Sequence, residues 1–182
     1  GFQEVPREEF RRFKSEVRSE IDTPMLQKVL PTGTILKDVW WESFGDRIRK
    51  PEHVMNLKYR NESCHGSPGV TFGRQIGAYP ILVGVQYQIP LETKSNVMIT
   101  GHGSRSVTAV EVGLDPAKVT ENQLASIPGI GRKNAWALIS ARAKATSKGK
   151  PIHTHQEMFE AADIVPPAMA LDVFENHSTG SQ

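Results

Sequence analysis

The sequence predicts an α+β protein in which an N-terminal amphipathic helix precedes a small β-barrel and then a helical domain. Three observations support this prediction. Apolar residues recur at helical spacing near the N-terminus, short β-branched and aromatic runs alternate with glycine and proline in the middle, and helix-capping signals follow residue 114. We expect boundaries at residues 1–30, 31–113 and 114–175, followed by a disordered tail over 176–182 that lacks apolar anchors.

The N-terminal segment is predicted to be a helix over residues 8–21. Phe10, Phe13, Val17 and Ile21 lie at helical spacing, and charged residues fill the other faces. We expect the helix to end at residues 22–24, because a proline disfavours helical conformation in the residue before it. The apolar stripe should pack on the barrel or the helical domain, or on a module upstream of this chain.

The middle of the chain is predicted to form the barrel. The runs 34–40, 81–88, 96–100 and 106–112 are rich in β-branched and aromatic residues and are bounded by turn-forming residues, as in strands. Four or five short strands with no full-length helix between them fit a small barrel or a strongly curved sheet. Residues 44–69 are polar and contain several helix and strand breakers, so they predict a long excursion between strands.

The strongest local motif predicts two short helices joined by a tight turn within residues 123–144. Leu124 and Ile127 share a face of the first helix, and Ala135 continues a matching face on the second. Two glycines in the turn leave main-chain amides open at the start of the second helix, where the helix dipole favours an anion. The predicted phosphate-binding residues are Pro128, Gly129, Ile130, Gly131, Arg132, Lys133 and Asn134.

This motif resembles the helix-hairpin-helix family, in which an apolar residue and Pro-Gly-Ile-Gly are followed by three residues and alanine. The resemblance implies contact with a nucleic-acid backbone, DNA or RNA, without sequence readout. It assigns phosphate contact to the amides around Gly129 and Gly131 and to Lys133, and it makes Ile130 a buried plug. Asn134 stands where the family often has threonine. The alternative is a hairpin kept for packing or protein contact.

Residues 155–174 look like a second copy of the same motif, which would make the helical domain similar to a tandem helix-hairpin-helix unit. Here the turn reads Ile-Val-Pro-Pro, without glycine. Pro166 and Pro167 remove amide donors. We therefore expect this copy to serve as a structural partner of the first and to bind no phosphate.

Charge and cysteine content narrow the function classes. The net charge is only +2, but six basic residues and no acidic one lie between residues 132 and 150, a pattern suited to phosphates or to a solvated helix face: Arg132, Lys133, Arg142, Lys144, Lys148 and Lys150. Cys64 is the only cysteine, so the chain can hold neither a disulfide nor a metal site built on several thiolates. Without a signal-peptide pattern or an apolar run of bilayer length, we expect a cytoplasmic protein without membrane contact.

A secondary nucleic-acid site is predicted on the barrel. Small barrels bind single strands with basic and aromatic side chains, and Arg74, Tyr79, His102 and Arg105 could supply them. The alternative is that the aromatic residues are core and that His102, flanked by glycine, is a turn residue.

Nearly the whole chain also resembles the C-terminal region of a group of archaeal radical S-adenosylmethionine (SAM) proteins, in which a barrel of TRAM or OB type and a helix-hairpin-helix follow the catalytic barrel. The resemblance rests on an amphipathic helix with Glu20 to Asp22, then Pro24 to Leu26, then Thr71 to Val85 with Phe-Gly-Arg-Gln and Tyr-Pro-Ile-Leu-Val-Gly, and finally Arg105 to Thr108 and the hairpin. The resemblance implies SAM and a 4Fe-4S cluster in an upstream catalytic module. The three clustered cysteines are absent here, and the start at Gly1 suggests a fragment.

These observations predict a non-catalytic nucleic-acid-binding region that positions a substrate for chemistry performed elsewhere. An enzyme would need a catalytic set, and the adjacent Cys64 and His65 are the only candidates for a nucleophile and its base. A protein-interaction or assembly module is the alternative function. It predicts an exposed apolar patch near the first helix.

Overall fold

The computed structural model describes residues 4–45, 66, 68–77 and 80–175. Its N-terminal segment comprises helix α1 (Arg7–Val17), a π-helical turn (Arg18–Asp22) and helix α2 (Thr23–Val29). The prediction that the helix ends at residues 22–24 is wrong. Pro24 lies in the first turn of α2, where no intrahelical amide bond is required of it, and the π turn absorbs the change in hydrogen-bond register.

The first helix does not dock on either of the following units, contrary to the prediction. No residue of α1 is buried. Contact with the barrel begins at Asp22 in the π turn, which pairs with Arg105, and continues in α2, where Leu26 and the following Leu30 pack against the hydrophobic core. The apolar stripe of α1 therefore remains exposed.

A closed five-stranded barrel follows, as predicted. Its strands are β1 (Ile35–Phe44), β2 (Pro68–Gln75), β3 (Leu82–Tyr87), β4 (Lys94–His102) and β5 (Ser106–Glu111). They close in the order β1-β2-β3-β5-β4. All pairs are antiparallel except β3 with β5, which run parallel and close the barrel.

Alternating side chains of the strands fill the barrel interior. Val39, Trp41, Val83, Val85 and Val97 are fully buried there. Burying each such side chain contributes about 1.5–3 kcal/mol. The barrel is therefore held by a packed core.

The C-terminal part consists of helices α3 (Glu121–Ala125), α4 (Gly131–Ser147), α5 (His155–Ala161) and α6 (Ala168–Glu175). Its buried residues join those of the barrel in one continuous core. The proposed division into separate domains thus stays a prediction.

Within the described ranges, no helix is long and apolar enough to cross a membrane. The predicted tail at 176–182 and most of the excursion at 44–69 lie outside those ranges.

Candidate functional site

Residues 126–130 form the turn between α3 and α4. Helix α3 begins with a capping box, in which the Thr120 hydroxyl accepts from the Gln123 amide and the Gln123 side chain accepts from the Thr120 amide. At the other end of the turn, the Ile130 amide donates to the Ile127 carbonyl at 3.1 Å. Ile127 and Ile130 are both buried, so Ile130 occupies the plug position that the sequence assigned to it.

The two glycines of the turn have different surroundings. Gly129 and Gly131 both adopt left-handed backbone angles, with φ of +91° and +66°. A Cβ atom on Gly129 would lie 2.9 Å from Cβ of Pro167, whereas a Cβ atom on Gly131 would meet nothing within 4 Å. Gly129 therefore permits close packing of the turn on the neighbouring helix pair, and Gly131 faces open space.

The start of α4 has no side-chain cap. Its N-cap residue is Ile130, which supplies no side-chain acceptor. Within the described ranges, the amides of Gly131, Arg132 and Lys133 donate to no protein acceptor. Uncapped amides at a helix start carry partial positive charge and bind anions.

The neighbouring helices are capped differently. Both α3 and α5 begin with a threonine capping box, formed at α5 by Thr154 and Glu157. The backbone amides of His153 and Thr154 that donate to the Glu157 carboxylate lower its pKa below the usual value. The start of α4 thus differs from those of α3 and α5, where a threonine caps the helix.

Side chains next to the bare amides are basic and exposed. Arg132 and Lys133 are exposed, and Asn134 is half-buried. No aspartate or glutamate occurs between residues 122 and 156 in the sequence. An anion at the start of α4 would therefore meet local positive charge without a competing carboxylate from the same stretch.

One of the six basic residues in this stretch has a structural role. Arg142 donates from Nη1 to the carbonyl oxygens of Pro116 and Val119 at 2.9 and 2.7 Å. Burial lowers the pKa of Arg142, and the nearby Asp115 carboxylate partly offsets that effect. Arg142 therefore links α4 to the segment before α3. Lys144 and the other four basic residues of the stretch are exposed.

The second helix pair packs against the first turn. Pro167 contacts Gly129 as described above, and its carbonyl accepts from the Ala170 amide at 2.8 Å. The His155 ring stacks on Phe174 with ring centroids 5.7 Å apart. The turn at 162–167 contains no glycine, and its prolines supply no amide donor.

The basic residues predicted for the barrel site already have protein partners. Arg74 pairs with Glu42 at 3.2 Å. His102 bonds through Nε2 to the Leu30 carbonyl at 2.6 Å, and Arg105 pairs with Asp22 at 3.4 Å. His102 and Arg105 thus hold the N-terminal helical segment on the barrel. Tyr79 lies outside the described residues.

A buried polar network joins the barrel to the helices. The Tyr87 hydroxyl accepts from the Glu111 amide at 2.8 Å, and Gln123 donates from Nε2 to the Glu111 carboxylate at 3.2 Å. Burial raises the pKa of the Tyr87 hydroxyl well above its usual value, and the Glu111 carboxylate adds to that effect. The network fixes α3 relative to β5, so the turn at 126–130 is held by the barrel.

Sequence analysis did not identify Trp136 as part of this site. The residue lies in the second turn of α4, and its side chain is 64% exposed. The other two tryptophans are in β1, where Trp41 is fully buried and Trp40 is half-buried. Whether this residue is buried depends on which face of α4 meets the core, so only the structure identifies it as exposed.

No metal centre is found in the described part of the chain. It contains no group of three or more histidine, cysteine, aspartate or glutamate side chains that could hold a metal ion. A 4Fe-4S cluster of the kind implied above needs three clustered cysteines, and the single cysteine of the sequence does not fit it. Cys64 and His65 lie outside the described residues.

Comparison with known proteins identifies two archaeal relatives, both described as uncharacterized proteins. A protein of Archaeoglobus fulgidus is 36% identical over 128 residues, which cover 70% of this chain and 20% of that protein. A protein of Methanocaldococcus jannaschii is 36% identical over 100 residues, which cover 54% of this chain and 14% of that protein. The chain thus matches a fifth or less of the length of these relatives. No family model and no solved structure matches it.

Proposed function

We propose that this chain is a non-catalytic nucleic-acid-binding region that contacts the phosphate backbone, of DNA or RNA, through a helix-hairpin-helix made of α3, the turn at 126–130 and α4. The observation that carries the proposal is the uncapped start of α4, where the amides of Gly131, Arg132 and Lys133 are free of protein acceptors. Backbone contacts of this kind position a nucleic acid and carry no sequence information. We therefore expect binding without sequence preference.

The barrel supports the same proposal. We infer that it belongs to the OB type, because OB-folds are five-stranded barrels that bind oligonucleotides on strands 2 and 3 and on the loops between strands 1 and 2 and strands 4 and 5. Arg74 lies on β2, and Arg105 lies in the turn between β4 and β5. Both are ion-paired here, so a nucleic acid would have to displace Glu42 or Asp22 to reach them.

The proposal is tested by a salt titration of binding to unrelated oligonucleotides, single-stranded and duplex. Binding that depends on phosphate contacts weakens steeply as salt increases, with a slope proportional to the number of contacts. We expect the slope to be the same for unrelated sequences of one strand type. Binding that is absent at low salt, or that is confined to one sequence, would refute the proposal.

The catalytic chemistry of any larger protein would reside outside this chain. We propose that the relatives' additional length includes a catalytic module of the radical SAM type, as the sequence resemblance implies, and that the present region delivers its nucleic-acid substrate in the cytoplasm. The cluster and SAM would be held by that module, since this chain lacks the cysteines. A search for three clustered cysteines in the two relatives tests this part.

A second candidate function is an assembly module, and the exposed stripe on α1 favours it. Phe10 and Phe13 are 55% and 62% exposed, and Ile21 beyond the π turn is also exposed. Basic and acidic residues are interspersed on both sides of Val17, so the polar faces of α1 carry both signs of charge. Antiparallel pairing with a second copy about Val17 would cover the exposed stripes of both copies.

Measurement of the oligomeric state tests the assembly function. Sedimentation equilibrium of the whole chain should show a dimer if the stripes pair, and Phe13→Asp should return it to a monomer. The exposed residue Ile76, outside the helix, supplies a control substitution, Ile76→Asp, that should leave the dimer intact. A monomer at all concentrations would eliminate assembly through α1.

A further inference from the structure

Trp136 lies within one helical turn of the proposed phosphate contacts. It follows Arg132 and Lys133 by four and three residues, and residues at these spacings are neighbours on a helix surface, with Cβ atoms roughly 5–6 Å apart. Helical side chains also lean toward the helix N-terminus. The indole ring is therefore expected to cover the surface beside the bare amides.

The indole contributes little to the fold. Ala135 and Leu138 face the core and are fully buried, whereas Trp136 lies between them in sequence on the outer side of α4 and is 64% exposed. In the described part of the chain, Trp136 has neither an aromatic ring contact nor a hydrogen bond through its indole nitrogen. Burial of such a ring would stabilise a protein, so its exposure beside a basic site indicates a ligand surface.

We propose that Trp136 stacks on an unpaired base of a single-stranded nucleic acid whose phosphate lies at the start of α4. The inference rests on the proposed phosphate contact and specifies its substrate class. Two features favour this occupant over an apolar protein surface. Arg132 and Lys133 flank the ring with positive charge, and the sequence has no carboxylate from residue 122 to residue 156. Single-strand binding sites combine a basic surface with aromatic rings on which bases stack.

A single strand suits this geometry better than a duplex. In a duplex every base is already stacked and paired, so its faces are not accessible to a ring at the phosphate backbone. An unpaired base can rotate out and place its face on the indole while its own backbone stays at the helix start. The stacking is tolerant of sequence, because every base has an aromatic face. The substrate class is therefore a single strand or an unpaired base within a longer nucleic acid.

The test compares Trp136→Ala and Trp136→Phe with the unaltered chain on a single-stranded oligonucleotide and on its blunt duplex. Trp136→Ala should weaken single-strand binding by about 5- to 150-fold, the range expected for one stacked base, and should change duplex binding little. Trp136→Phe should retain most of the affinity because it keeps a ring. Val165→Ala removes another highly exposed apolar side chain and should change neither affinity.

Tryptophan fluorescence supplies a second readout. Single-strand binding should quench the emission of Trp136, and the quenching should disappear in Trp136→Ala, because Trp41 is buried and Trp40 is half-buried. Replacing the bases of the oligonucleotide with abasic sites should abolish the quenching.

The outcomes separate the two proposals. Equal binding by Trp136→Ala and the unaltered chain, or an equal loss on single strand and duplex, overturns the stacking inference. If Lys133→Ala still weakens binding and reduces its salt dependence in that case, the proposed phosphate contact stands. Absence of binding to either nucleic acid at low salt overturns both proposals.

Discussion

The substitution Gly131→Val tests whether the amides at the start of α4 bind the nucleic acid. Gly131 has a φ of +66°, and the space around its absent Cβ is open. Valine would therefore suffer backbone strain and no collision. The strain of a non-glycine residue in a rarely populated conformation is about 1–3 kcal/mol. Relief of that strain requires the backbone to rotate, which turns the amides away from their present direction.

The expected loss of affinity in Gly131→Val follows from the amide–phosphate hydrogen bonds that it would break. A hydrogen bond to a charged group contributes about 1.5–3 kcal/mol. Loss of one amide–phosphate bond should therefore weaken binding by about 10- to 150-fold. We expect Gly131→Val to weaken binding more than Lys133→Ala does, because Lys133→Ala removes a single exposed charge that salt already screens.

Gly149→Val is the matched control. Gly149 has a φ of +72° and open space around its absent Cβ, so valine should cause similar strain there. The two glycines are 18 residues apart (149 − 131), or about 27 Å along a helix. Gly149→Val should lower the free energy of unfolding by a similar amount and leave binding nearly unchanged.

Fluorescence anisotropy of a labelled oligonucleotide would measure affinity, and urea unfolding followed by circular dichroism would measure stability. The reasoning predicts similar stability losses and different affinity losses for the two variants. Undiminished binding by a folded Gly131→Val protein would remove the turn from the nucleic-acid site. Equal losses of affinity in both variants would attribute the effect to stability alone.

Three further predictions follow from the contacts described above. Lys133→Ala should lower the magnitude of the log-affinity versus log-salt slope by about one, as measured by a salt titration. Arg142→Met should leave that slope unchanged. It should lower the free energy of unfolding, measured by urea titration, by about 1–3 kcal/mol, because two buried carbonyls lose their donor. Tyr87→Phe should lower the free energy of unfolding by about 1–3 kcal/mol, because the buried Glu111 amide loses its acceptor; an unchanged urea midpoint would contradict this. The pKa of Glu157 is lowered in the fold, so its cap should stabilise α5 at neutral pH and lose that effect as pH falls through the lowered pKa; the difference in thermal midpoint between Glu157→Gln and the unaltered chain should vanish in acid.

The barrel was predictable because local patterns determine most of its strands. The run 96–100 falls within β4, and the run 34–40 begins one residue before β1. The run 81–88 exceeds β3 by one residue at each end, and the run 106–112 exceeds β5 by one residue at its end. Strand β2 was less distinct, because glycine interrupts its strand pattern. One of these glycines, Gly73, has no space for a side chain beside the β1 backbone and Trp41. The parallel pairing that closes the barrel joins residues distant in sequence, and no local pattern encodes it.

The candidate site was likewise predictable only in part. The bare helix start could be predicted from Pro-Gly-Ile-Gly, because two glycines and the absence of a polar cap are properties of the local sequence. The partners of Arg105 and Arg142 could not be predicted, because tertiary packing determines each of them. Exposure of Trp136 likewise depends on which face of α4 meets the core.

The π-helical turn sets the rotational phase between α1 and α2. The apolar residues from Val17 to Val29 recur every four residues, and in a regular α-helix such a series advances by about 40° at each step. The wider π turn takes back part of that rotation, so the stripe beyond it stays nearer the face that carries Phe13. If Arg18–Asp22 were wound as a regular α-helix, the same five residues would turn farther about the axis and would rotate α1 away from its present direction relative to α2. With α2 held to the barrel by Leu26, the direction in which α1 presents its apolar side therefore depends on this π-helical winding.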